Sequence, residues 1–236
     1  MTASLQRLVW AVRQKQGFLV PWRAWQVNAR FPVPRSVRKT ISTILPTVDR
    51  QFCHPAKPRA LASLIVRERI QRTVEIGVYE GASFVAQAVA ARYVGGLAIG
   101  IDPYSAAEAE QKDNRDRLDR SGDELGRRDW EAIYTGFLAM LERYDLARWC
   151  RILRMTSTEA APLIEPGVGL IHIDGNHDRA KVEADLANYL PKLHPGGYLV
   201  VDDIGWTTIR PLYEDLKRRM RLVYEAQDVW GCLRNE

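Results

Sequence analysis

Cysteine is scarce in this chain: Cys53, Cys150 and Cys232 are the only three in 236 residues, and they form no Cys-x-x-Cys or zinc-type pattern. An odd, scattered set argues against a disulfide framework and reads as free thiols in a reducing compartment. Long apolar runs are missing too. None approaches the ~20 residues of a membrane-spanning helix, and Arg13 and Lys15 interrupt the first apolar stretch, so neither a span nor a secretory leader is expected. The chain is therefore expected to be soluble and cytoplasmic. The Gly-x-Gly-x-x-Gly fingerprint of dinucleotide sites is absent, which leaves a dehydrogenase poorly supported. There is no internal repeat or low-complexity tract, and the length suits one elaborated α/β domain with a full core.

Acidic residues are nearly absent from the first fifty positions, where Asp49 stands alone against nine Lys or Arg. The net charge of +5 therefore belongs to an N-terminal stretch, and the remainder is mildly acidic. Leu5, Leu8, Val9 and Val12 follow helical spacing there, and Trp10, Trp22 and Trp25 add large amphipathic surface. Residues 1–58 are expected to form a basic extension. It either packs on the main body or on a second copy of the chain, giving a homo-oligomer, or contacts a polyanion or membrane surface. Six prolines between Pro21 and Pro58 break it into short pieces with no independent core.

From residue 59 onward the pattern is regular. A helix over Arg59 to Arg69 leads to a strand at Thr73 to Ile76, a glycine-containing turn and an apolar helix through Phe84, Val85, Ala88 and Val89. Leu97 to Ile101 is the second strand, stopped by Asp102-Pro103. A charged segment, Ala106 to Arg128, reads as a solvated helix or lid before an amphipathic helix from Trp130 to Tyr144. Further strands are expected at Arg151 to Met155, Leu170 to Ile173 and after Pro195-Gly196-Gly197. Helices are expected at Glu159 to Ile164, after Asp178 with Val182, Leu186 and Leu190 inward, and at Ile209 to Arg219. Strands alternating with helices imply an α/β, Rossmann-like doubly wound parallel sheet over residues 59–236. The last two strands, Arg221 to Glu225 and Val229 to Arg234, are too closely joined to be parallel neighbours.

The chemistry-bearing residues gather at expected strand ends. Asp174, His177, Asp202 and Asp203 follow two apolar runs that read as neighbouring buried strands. Such strands lie about 4.8 Å apart, so their terminal acids converge. Unattended, those acids repel one another and take up protons; a hard cation such as Mg²⁺ would settle them. Gly77 and Gly81 after the first strand, flanked by Glu75 and Ser83, suit close backbone approach to a ligand. Asp102 either accepts from ribose hydroxyls or is a turn acid before proline. His172, on the same strand face as Asp174, reads as a packed or second-layer histidine. Trp206 either walls an acceptor pocket or packs under the next helix.

The segment Glu75-Ile-Gly-Val-Tyr-Glu-Gly-Ala-Ser83 resembles the first motif of catechol O-methyltransferase. Ile173-Asp-Gly-Asn-His177 with Gly196-Gly-Tyr-Leu-Val-Val-Asp-Asp203 resembles bacterial sugar O-methyltransferases. Together they place residues 60 to 236 beside the class I S-adenosylmethionine-dependent, metal-dependent O-methyltransferases. The resemblance implies about seven strands in the order 3-2-1-4-5-7-6. It implies that Glu75, Gly77, Tyr79, Gly81, Ser83, Asp102, Asp174 and the polar pair Ser157 and Thr158 hold S-adenosylmethionine, although Ser157 also suits a helix N-cap. It further implies that Asp174, Asp202 and Asp203 bind Mg²⁺ or another divalent cation, and that His177 is the general base. The expected acceptor is a saccharide or other polyhydroxyl molecule. A catechol-like diol is the alternative substrate, and a non-catalytic binding protein the alternative from another class; no nucleic-acid partner is expected.

Overall fold

A computed structural model describes residues 30–50, 52–113 and 125–236. The expected amphipathic stretch at Leu5 to Val12, with Trp10, Trp22 and Trp25, lies outside the described residues. Of the charged segment, Ala106–Ala109 forms a short helix and residues 114–124 are likewise outside.

The chain order is helix α1 (Arg35–Ile44), α2 (Lys57–Glu68), strand β1 (Arg72–Ile76), α3 (Phe84–Val94), β2 (Leu97–Ile101), α4 (Ala106–Ala109), α5 (Trp130–Arg143) and β3 (Cys150–Leu153). Then come α6 (Ser157–Ala160), β4 (Val168–Ile173), α7 (Arg179–Tyr189), β5 (Leu193–Asp202), α8 (Arg210–Arg219), β6 (Arg221–Ala226) and β7 (Trp230–Arg234). The sheet order is β3-β2-β1-β4-β5-β7-β6. The first five strands run parallel, and β7 lies antiparallel to both β5 and β6. This is the Rossmann-like methyltransferase arrangement expected above.

Alternation along the strands divides the core in two. Val74 and Ile76 of β1, Ile171 and Ile173 of β4 and Leu199 and Val201 of β5 meet α6, α7 and α8 on one face. Leu170, Tyr198 and Val200 meet α1, α2, α3 and α5 on the other. Glu75, His172 and Asp202 follow the second set of positions and are all buried. This parity places a row of polar side chains inside the α1-α2-α3 layer.

Local chemistry sets the element ends. Val37, Ile41 and Ile44 recur along α1 at helical spacing and are buried. Helix α2 ends at Arg69 in the left-handed region, whose N–H donates to Ile65 O and Val66 O, and α3 ends at Gly95 with φ +76°. Asp129 caps α5 by accepting from Ala132 N. On α6 the cap is Thr156, in a reciprocal box with Glu159, so Ser157 sits one residue inside the helix. Tyr189, which the helical spacing did not single out, is buried on α7 together with Val182, while Leu186 and Leu190 are only partly covered. The Pro195-Gly196-Gly197 turn is absorbed into β5. Gly196 takes φ +81°, and the β4–β5 register shifts between Val168 and Leu170. Helix α2 runs across the division expected between residues 58 and 59, and α1 joins the same core.

Candidate active site

The carboxyl ends of β1, β2, β4 and β5 open on one edge of the sheet, where doubly wound folds bind ligands. Three loops there carry a non-glycine residue at positive φ: Tyr79 (51°), Tyr104 (49°) and Asp203 (49°). Each such conformation costs about 1–2 kcal/mol. Asp102 holds two of them, since its Oδ2 accepts from Val78 N and Tyr79 N (both 2.9 Å) and its Oδ1 from Tyr104 N (2.7 Å). Burial raises the Asp102 carboxyl and these backbone donors oppose the rise.

A carboxylate offers about four acceptor sites. With three taken, Asp102 keeps one on Oδ1, enough for one ribose hydroxyl, so the residues at this loop fit S-adenosylmethionine. Gly77, at φ +84°, serves an additional purpose. A Cβ there would lie 2.2 Å from Asp174 O and 2.7 Å from Gly175 Cα, so the glycine lets the β1 and β4 loops touch. A Cβ at Gly81 would meet the Phe137 ring at 2.5 Å, so this glycine makes room for α5. Glu75 and Ser83 are turned inward and bonded to each other: the Ser83 hydroxyl donates to Glu75 Oε1 (2.6 Å) and the Gln87 amide donates to Glu75 Oε2. Ser157 and Thr158 lie in α6, where the Ser157 carbonyl accepts from Tyr189 OH at 2.6 Å.

The polar row on the sheet face continues from Glu75. His172 pairs with it across β1 and β4, placing Nδ1 3.2 Å from Glu75 Oε2 and Nε2 3.6 Å from Asp174 Oδ2. The next member is Lys57, which nothing in the sequence reading singled out. Its ammonium, fully buried, donates to Asp174 Oδ2 at 2.6 Å and to Asp202 Oδ2. Burial pulls the Lys57 pKa down, but the two carboxylates outweigh it and hold the ammonium protonated well above its ordinary range. Asp174 is raised, first by burial and then by the neighbouring Asp202 charge. Asp202 is held low, because Lys57 overcomes the burial that would otherwise raise it. The available signal was Pro58, which marks a helix starting at Lys57 instead of Arg59.

Asp203 leaves this cluster. Its left-handed backbone turns the carboxylate to His177, with Oδ2 3.3 Å from Nε2. The other ring nitrogen of His177, Nδ1, faces Gln111 Nε2 at 3.2 Å, and the Trp206 ring lies 4.8 Å away at 35°. Burial lowers the His177 pKa to about 4, so the imidazole is neutral at physiological pH. The covering segment is tied down at several points. Asn176 donates to Glu108 O and Glu110 O, Asp178 accepts from Lys112 N and Asp113 N, and Arg179 N donates to Asp113. Asp178 thus pins residues 112–113, although it also stands at the N-terminus of α7.

The structure therefore brings Asp174 and Asp202 together and separates Asp203 from them. His172, Asp174 and Asp202 do present ligand atoms within 4.8 Å of one another. The space between the two carboxylates, however, is where the Lys57 ammonium sits. The arrangement as it stands does not fit a divalent ion.

The sequence matches the methyltransferase-domain family over residues 74–204, more than half of the chain, from β1 to just past β5. It is 33% identical over 138 residues to the uncharacterized protein y4gI of Sinorhizobium fredii (strain NBRC 101917 / NGR234). That match covers 57% of this chain but only 13% of that much longer relative. Among solved structures, the methyltransferase PaMTH1 of Podospora anserina, bound to S-adenosylhomocysteine, superposes with a TM-score of 0.61 at 11% identity, covering 94% of this chain and 97% of that one. The O-methyltransferase NovP gives 0.61 at 16%, covering 85% and 98%. TomG of Streptomyces achromogenes, an O-methyltransferase of tomaymycin synthesis in complex with S-adenosylmethionine, gives 0.56 at 12%, covering 90% and 95%. Identities this low carry the fold alone, and the family match carries the membership. The chain belongs to the methyltransferase-domain family, built on the seven-stranded fold of the class I S-adenosylmethionine-dependent methyltransferases.

Proposed function

We propose that the protein is an S-adenosylmethionine-dependent O-methyltransferase acting on a hydroxyl of a sugar or glycosylated small molecule, with His177 as general base. The observation that carries this reading is the Asp203–His177 pair at the ligand edge of the sheet: a neutral imidazole with a carboxylate beside one nitrogen and the Gln111 amide beside the other.

Asp203 Oδ2 lies 3.3 Å from Nε2 and favours the proton there, so in that tautomer Nδ1 is the acceptor, and the Gln111 amide occupies the place a substrate hydroxyl would take. Nδ1 would take the proton of an acceptor hydroxyl placed there. Asp203 then stabilises the imidazolium. Bound S-adenosylmethionine supplies a methyl group on a sulfonium that departs as a neutral thioether. Asp102 and the Gly77 loop align the donor, and alignment contributes much of the acceleration. Trp206 beside His177 offers an aromatic face to the C–H surface of a sugar ring. Chelation of a catechol-like diol, by contrast, needs an open metal position between Asp174 and Asp202, which Lys57 takes. Magnesium is therefore left out of this reading.

The test is methyl transfer to a panel of saccharides, glycosides and catechols, with parallel calorimetry using S-adenosylhomocysteine. His177→Ala is expected to lower kcat by about 10²–10⁴ while the affinity for S-adenosylhomocysteine holds. Failure to bind S-adenosylhomocysteine refutes the enzyme reading; a preference for catechols refutes the sugar; a normal rate in His177→Ala refutes the base.

A further inference from the structure

The structure assigns Lys57 as the resident cation of this site. We infer that its ammonium stands where a divalent ion was expected, and that the enzyme works without one. The inference rests on the reading of the sheet edge as a methyl-transfer site, yet the position of Lys57 is independent of any acceptor.

Three observations carry it. Both carboxylate oxygens that would grip an ion, Oδ2 of Asp174 and Oδ2 of Asp202, converge on Lys57 Nζ. Mg²⁺ would need those same oxygens at roughly 2.0–2.1 Å, so ion and ammonium compete for one point. The lysine is also fixed in place: it opens α2 next to Pro58, its own N–H donates to His54 O at 2.9 Å, and the His54 ring accepts from Ala56 N at 3.2 Å. A fully buried side chain on a pinned helix end does not swing away freely. Finally, the third expected ligand is engaged elsewhere, with Asp203 on His177. The ammonium therefore holds the one point on which both carboxylates converge, and a dication would have to displace it.

The proton route is complete without a metal. The acceptor hydroxyl gives its proton to His177 and its electron pair to the methyl carbon, and the carbon–sulfur bond breaks with its pair staying on sulfur. No co-reactant is needed beyond the methyl donor. The ammonium fixes the two acids. Among the described residues Asp202 Oδ1 is buried and has no hydrogen-bond partner, so it keeps acceptor capacity.

The experiment is a Mn²⁺ titration of the full chain, read as loss of the free-ion electron paramagnetic resonance signal, with no methyl donor or acceptor present. Wild type is expected to show no site tighter than about 1 mM. Lys57→Ala, which empties the point between the carboxylates, is expected to gain one Mn²⁺ site at least tenfold tighter, lost again when Asp202→Asn is added. A micromolar site in wild type that Asp174→Asn abolishes overturns the inference, as does a folded Lys57→Ala protein that binds no metal. Should Lys57→Ala fail to fold, the wild-type titration decides alone, because absence of a tight site supports the inference and its presence refutes it. Metal binding is measured apart from turnover. A protein that transfers no methyl group therefore fails the functional reading without touching this one.

Discussion

Asp185 on α7 is expected to be a site of stored instability at neutral pH. Its side chain is 3% exposed, Oδ1 has no hydrogen-bond partner among the described residues, and only the Ser157 hydroxyl and the more distant Lys181 charge favour its ionised form. Burial wins, and the carboxyl is raised from 3.8 to about 6. The folded pKa thus lies above the unfolded one, so the folded state holds the proton more tightly. Below pH 3.8 both states are protonated and nothing is lost. As pH rises toward 6 the unfolded chain ionises first, and above 6 the folded state carries the full penalty, on the order of 3 kcal/mol. Asp185→Asn keeps the shape, leaves an acceptor for Ser157 and removes the charge. At pH 7.5 the variant is expected to melt roughly 6–12 °C above wild type, since ~1 kcal/mol moves a chain of this size by about 2–4 °C. Near pH 4 the two should melt together. Calorimetric scans at both pH values test this, and equal melting at pH 7.5, or the same gain at both, would refute the burial argument.

Gly77→Ala is expected to cost roughly 2–5 kcal/mol, because its Cβ meets backbone atoms of Asp174 and Gly175 at a positive φ. Gly95→Ala, at φ +76° but in open space, should cost only about 1–2 kcal/mol; equal losses in urea melts would rule out the β1–β4 contact as the cause. Asn176→Ala removes two ties on the 108–113 segment, so His177 becomes less buried and its pKa should climb from about 4 toward 6.5. Histidine ring resonances followed against pH by NMR read this directly, and an unmoved titration would mean that the segment does not set the burial.

The sheet was legible because its strands are short apolar runs ended by Asp-Pro, Gly-rich turns and acids, signals that act locally. The caps were less so. Thr156, Ser157 and Thr158 are all plausible N-caps by residue type, and only the bond to Glu159 selects Thr156. Likewise, the glycines of the first loop suit close approach of a ligand by residue type, and nothing local shows that they also accommodate the Asp174 backbone and the Phe137 ring. Those neighbours come from β4 and α5, far along the chain.

The acids illustrate the boundary most sharply. That Asp174 and Asp202 need a positive partner follows from their places at adjacent strand ends and from Coulomb's law, and both are visible in the sequence. Which positive partner they receive depends on an element 117 and 145 residues away in the chain, whose phase is fixed by Pro58 and the His54 turn. A helix beginning at Arg59 would leave Lys57 in a solvated linker and the carboxylates open to an ion. Beginning at Lys57, it delivers the ammonium into them. Two residues of helix phase therefore decide whether the point between the two carboxylates is open or holds the Lys57 ammonium. Asp203 follows the same logic in reverse, since a left-handed backbone at one residue sets its carboxylate beside His177.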